Sequence, residues 1–109
     1  MKVNKETQEK IQKLQLYEQN LQQFLIQKQQ LHSQLIEMES SLGELEKVET
    51  AYKIVGNVMI SAKSEELKKD IQQKKEVVEL RIKSLEKQES SIRDKTKKLQ
   101  EEVLGEMKE

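Results

Sequence analysis

The stretch Ala51-Tyr52-Lys53-Ile54-Val55-Gly56-Asn57-Val58-Met59-Ile60-Ser61-Ala62 decides the fold. Two short runs rich in β-branched and large apolar residues flank a Gly-Asn dipeptide, which is the sequence pattern of a tight β-hairpin. A two-residue loop pairs Val55 with Val58, Ile54 with Met59, Lys53 with Ile60 and Tyr52 with Ser61. Val55, Val58 and Ile60 then share one face, and Tyr52, Ile54 and Met59 the other. Both faces are largely apolar, and a two-stranded ribbon is marginal by itself and leaves open edges. The hairpin is therefore expected to be covered by its own helices on one side and by other chains on the other, so the protein reads as an oligomer.

Outward from the turn the chain is a mirror image of itself. If it folds back between residues 56 and 57, position i lies level with position 113 − i. Before the turn, Leu14, Leu21, Leu35 and Leu42 recur at heptad spacing, with Lys28 the exception; after it come Ile71, Val78, Leu85, Ile92 and Leu99. Leu14 meets Leu99, Leu21 meets Ile92, Leu35 meets Val78, and Leu42 meets Ile71. Heptad columns that fall into register about a turn specify an antiparallel coiled-coil hairpin. The fold class is thus mostly α, a long antiparallel coiled-coil hairpin with one β-hairpin between its helices. A single domain spans residues 1–109, with a first helix over about 5–48, the β-hairpin over about 51–62 and a second helix over about 64–107.

With Leu14 at a, the d positions of the first helix are Tyr17, Phe24, Leu31, Met38 and Leu45, so Lys28 alone breaks an apolar seam. Lys28 reads either as a register device or as a snorkelling side chain with a packed stem; it lies level with Leu85, within reach of Glu86 or Glu89. Ser64 is placed to N-cap the second helix, with Glu65 and Glu66 at the positive end of its dipole. The second column of that helix is weak: Lys68, Lys75, Ile82, Glu89, Thr96 and Val103. Part of the Phe24, Leu31 and Met38 row is expected to lie half open.

Composition narrows the function. The chain has 109 residues, 34% hydrophobic and 37% charged, with no proline and 3% aromatic, which suits long helices and supplies little for a pocket. Twenty basic and twenty acidic residues cancel, so no basic stripe favours nucleic acid. No apolar run approaches the roughly 20 residues of a membrane span. The first residues do not read as a signal peptide, and the protein is expected to be soluble and cytoplasmic. Cysteine is absent, His32 is the sole histidine and falls on a flank, and Gly43, Gly56 and Gly105 are isolated. No metal, cofactor or catalytic constellation is expected, and the chain does not read as an enzyme. Beyond the Leu14–Leu99 layer, Val3, Ile11, Val103, Leu104 and Met107 stand among charged residues. They read either as ragged ends or as an adaptable apolar surface.

The segment Tyr52-Lys53-Ile54-Val55-Gly56 followed by Val58-Met59-Ile60, set between equal heptad helices, resembles the β class of prefoldin subunits. The similarity continues through Glu65-Glu66-Leu67 and Leu85-Glu86-Lys87-Gln88-Glu89. Only about 16 residues separate the helices, room for one hairpin, whereas the α class carries two. The link Glu46-Lys47-Val48-Glu49-Thr50 departs from the proline-containing link of many relatives. The resemblance implies a hexamer of two α and four β subunits. It implies an ATP-independent holdase that captures unfolded client proteins and passes them to a group II chaperonin. Tyr52, Ile54, Val55, Gly56, Val58, Met59 and Ile60 would build its platform, and Val3, Ile11, Leu14, Leu99, Val103, Leu104 and Met107 its client-binding tips. The rival reading is a structural coiled-coil adaptor that oligomerises through its hairpin; a nucleic-acid-binding arm is disfavoured by the charge balance.

Overall fold

The computed structural model describes residues 4–108, and Val3 lies outside them. Helix α1 spans Lys5–Leu45, strands β1 and β2 span Thr50–Val55 and Val58–Lys63, and helix α2 spans Ser64–Met107. The chain divides into two compact units, one holding residues 1–28 with 83–109 and the other residues 29–82.

In the second unit, β1 and β2 pair antiparallel from Thr50↔Lys63 through Tyr52↔Ser61 and Ile54↔Met59 to Val55↔Val58, the register expected from the sequence. Gly56 turns the chain at φ 62, and among the described residues no non-glycine residue has positive φ. A left-handed residue at the first turn position alone is the signature of a type II′ hairpin turn, which matches the natural twist of the strands. Leu31, Leu45, Leu67, Val78 and Ile82 are the buried apolar residues of this unit, with Leu35, Leu42 and Ile71 half-buried beside them.

Helix α1 stops at Leu45, three residues before the expected end. The amide of Glu46 still reaches the Leu42 carbonyl (3.2 Å), but that of Lys47 turns to Glu44 (3.2 Å), tightening the last turn before the chain leaves the helix. Extended pairing takes over instead. β1 starts one residue earlier than expected, at Thr50, and the Ser64 amide donates to the Glu49 carbonyl at 2.9 Å. Val48 and Thr50 are β-branched and favour that outcome. Ser64 is buried, and its hydroxyl donates to the Val48 carbonyl at 2.7 Å. It therefore ties the start of α2 to the link after α1; the structure shows this contact in place of the expected N-cap bond.

In the first unit, Asn4 caps α1: its side-chain oxygen accepts from the Thr7 amide at 2.8 Å. The column of α2 that reads as weak in sequence faces inward throughout. Ile82, Glu89 and Val103 are buried and Lys68, Lys75 and Thr96 half-buried. Its polar members are partnered rather than excluded. Lys28 Nζ meets Glu89 Oε1 at 2.9 Å, and Arg93 approaches the other oxygen of Glu89 at 3.7 Å. In the second unit Lys75 stands 3.7 Å from Glu39. Thr96 donates to the Ile92 carbonyl of its own helix at 2.7 Å. Among the described residues no buried side-chain nitrogen or oxygen lacks a partner.

Two stability effects follow. A Cβ at position 56 meets no neighbouring atom, yet Gly56→Ala must hold alanine at positive φ, so thermal unfolding should show a loss of about 1–2 kcal/mol. Glu89→Ala leaves the Lys28 ammonium unpaired in the seam and should cost about 1–3 kcal/mol. Lys28→Leu combined with Glu89→Leu should recover that loss, because an apolar pair needs no compensating charge.

Candidate functional site

Two surfaces carry the residues singled out in the sequence. The first is the hairpin. Successive strand residues point to opposite sides, and paired residues share a side. Tyr52, Ile54 and Met59 occupy one face at 66%, 72% and 66% exposure. Val55, Val58 and Ile60 occupy the other, also exposed. Only Ala51 and Ala62, at the base of the ribbon, are half-buried. The expectation that the chain's own helices cover one face is therefore wrong. The helices flank β1 only across an open groove, so the large side chains stay mostly exposed and only the small residues at the base are half-buried. Each strand has a single partner, so the outer backbone groups of both remain open edges. A groove also runs between β1 and the helices of this unit, with Leu45, Leu67 and Ile71 along it beside Tyr52, Ile54 and Val55.

The second surface lies in the first unit, where α1 begins beside the end of α2. Thr7 is buried, and its hydroxyl lies 2.7 Å from Glu106 Oε2 and 2.9 Å from Asn4 Oδ1. The carboxylate is the stronger acceptor of its single proton. Lys10 donates to Glu106 Oε1 and lies 3.4 Å from Glu102 Oε2. The hydrogen bond to Glu106 outweighs the opposing effect of burial and, with the charge of Glu106 and the hydrogen bond and charge of Glu102, raises Lys10 above its ordinary pKa of 10.5. The Lys10 hydrogen bond first, and the Thr7 hydroxyl second, hold Glu106 below its ordinary 4.5. Glu106 would suit the negative end of α2 poorly, but the cluster sets it beside the positive end of α1.

This closure changes the apolar inventory there. Of the residues expected at the tips, Ile11, Leu14, Leu99 and Met107 are half-buried and Leu104 is 59% exposed. Val103 is buried, at 7% exposure, so it is a seam residue and not a free surface one. The ends are zipped by polar contacts that sequence spacing alone does not reveal. Conversely, Leu16, Leu25 and Ile26 in this unit, and Ile36, Val77 and Leu80 in the other, are exposed apolar residues that sequence reasoning passed over. Their signal was available: with Leu14 at a, Leu16, Leu25, Ile26 and Ile36 take the outward c, e, f and b positions, where a two-helix seam cannot use them.

The family model described as prefoldin subunit matches residues 8–109. Among curated proteins, the chain is 35% identical over 101 residues to the prefoldin subunit beta of Archaeoglobus fulgidus, covering 90% of this chain and 87% of that one. It is 38% identical over 90 residues to the prefoldin subunit beta of Pyrobaculum islandicum, covering 80% and 72%. Among solved structures, it is similar to the crystal structure of the prefoldin beta subunit from Thermococcus strain KS-1. That match has a TM-score of 0.89 at 27% identity and covers 95% of this chain and 94% of that one.

The Glu106 cluster has a pH signature. A carboxylate held below its ordinary pKa stabilises the fold fully above 4.5, and that contribution disappears as pH falls through the lowered value. Lys10 acts in the opposite sense: its contribution is present below 10.5 and is lost as pH rises through the raised value. Amide protection factors in the first turns of α1, corrected for intrinsic exchange, should therefore stay level across neutral pH and fall as acidification passes below 4.5 and through the lowered pKa. Glu106→Gln should flatten the acid limb.

Proposed function

This chain belongs to the prefoldin family, in its β-subunit class, and from that premise we propose that it works as one of four β subunits in a hexamer with two α subunits. The complex is an ATP-independent holdase in the cytoplasm that captures unfolded client proteins and passes them to a group II chaperonin. The observation that carries this reading is the exposed hairpin, whose six large apolar side chains stand 42–72% exposed and whose two strands each keep one open edge. Withdrawing each such aliphatic side chain from water contributes about 1.5–3 kcal/mol, which is ample to drive association of several copies.

In this reading Tyr52, Ile54, Val55, Val58, Met59 and Ile60 form the assembly platform, and Gly56 supplies the turn that presents them. The ends of the helix pair, with Val3, Ile11, Leu14, Leu99, Leu104 and Met107, hold the client, and Val103, buried in the closed pair, joins them when the ends open. Each contact there is weak and several subunits act together, so effective concentration supplies the affinity while each contact can still let go. Catalysis by residues of this chain has no part in the account.

Ile54→Lys combined with Val58→Lys places a charge on each face of the hairpin. Sedimentation velocity should show assemblies replaced by single chains while far-UV circular dichroism retains most of the helix signal. An unchanged sedimentation profile refutes the platform. Assembly with no suppression of the aggregation of a denatured protein would support the coiled-coil adaptor instead.

A further inference from the structure

Val103 sits in the inward column of α2, level with Lys10 in the register that the hairpin sets. The Lys10 ammonium contacts both Glu106 and Glu102, which stand one turn apart on either side of Val103 in the sequence. A lysine whose head spans those two carboxylates lays its methylene stem along the turn that carries Val103. Thr7, one turn earlier on α1, is anchored to the same Glu106 and to the Asn4 cap. The first two turns of α1 thus form a polar strap over Val103. Beside it lie the half-buried Ile11, Leu99 and Met107.

We infer that this strap is an autoinhibitory latch: α1's first turns occupy the apolar strip around Val103, and an unfolded client binds by displacing them. The inference rests on the client-capture reading above. The strap is suited to displacement because its contacts are polar and partly open to water; the Glu102 side chain is 57% exposed, and the pairs of Lys10 keep 28–30% on each side of the Glu106 contact. Ion pairs of that kind hold weakly, and helix ends open at the low end of the range of local stabilities. The strip beneath is apolar, with Val103 at 7% exposure and Leu99 and Met107 half-buried. Release then needs no nucleotide, because the chain's own segment competes for the same surface and recloses when the client folds or is drawn away. A client must bind the opened form well enough to offset the reclosing, which favours extended apolar segments over folded surfaces.

The chain contains no cysteine, so the latch can be locked at will. Thr7→Cys with Glu106→Cys in the full chain, in its normal assembly, removes both partners of the central contact. A short bis-methanethiosulfonate linker then ties the two positions, and a reductant frees them. The probe is light scattering from guanidine-denatured rhodanese on dilution. The untied variant should suppress aggregation at a concentration equal to or below that of the unmodified chain. The tied form should need about fivefold more or worse, with recovery on reduction. Thr7→Cys alone, carrying the same linker quenched at one end, should behave as the untied form, which separates locking from bulk. Hydrogen exchange gives a second reading: client should speed exchange over residues 5–10 while slowing it over 103–107. Equal capture by tied and untied forms, or client-induced protection of residues 5–10, overturns the latch alone. Failure of the unmodified chain to hold rhodanese at all overturns the capture reading and the latch with it.

Discussion

A two-stranded antiparallel ribbon leaves the outer backbone groups of both strands without partners, and here it also presents large apolar side chains on both faces. Neither feature is tolerated in water at small cost, since open edges template further pairing and exposed aliphatic faces seek cover. The ribbon nonetheless forms in the single chain because its ends are pinned. The turn at Gly56 sets the register at one end, while at the other the Ser64 amide and hydroxyl bind the Glu49 and Val48 carbonyls. The hairpin is therefore a preformed strand pair that awaits completion by other chains, and it orders little on assembly. That preorganisation lowers the entropic cost of association.

The register set at the turn also decides which polar residues meet along the helices. Antiparallel pairing about Gly56-Asn57 brings Thr7 to Glu106 in one unit and Lys75 to Glu39 in the other. It also brings Lys28 to Glu89. Each of these polar residues would penalise an apolar seam by itself, and each is accepted because its partner lies level with it or, for Lys28 and Glu89, one turn away. Such layers disfavour displaced pairings, since a slip would leave several charges unpaired at once. Stability is given up along α2 in exchange for a single alignment.

What the sequence reveals follows from the range of the interactions involved. Strand pairing and turn were readable because they depend on neighbours in the chain and on the positive φ that Gly56 supplies. The apolar column from Ile71 to Leu99 was readable by its spacing. The end of α1 was misplaced by three residues because helix and ladder compete there, and the winner is set by a contact between Glu49 and Ser64. The inward role of Lys75, Glu89 and Thr96 was obscured for a similar reason: hydropathy marks them as outward, and only a partner across the seam or a carbonyl one turn back makes them inward. Val103 was read as free because its cover is built from Thr7, Lys10 and Glu106, polar residues that carry no hydrophobic signal. The bare faces of the hairpin were half anticipated. Both proved open because the helices stand across a groove from β1 and half-bury only Ala51 and Ala62.

Native mass spectrometry of the full chain, alone and mixed with an α-type prefoldin subunit, tests the central claim most directly. If the uncovered hairpin is completed by other subunits, the mixture should give a complex of four copies of this chain with two α chains. A chain that remains single, or forms a pair indifferent to the α subunit, would contradict the account.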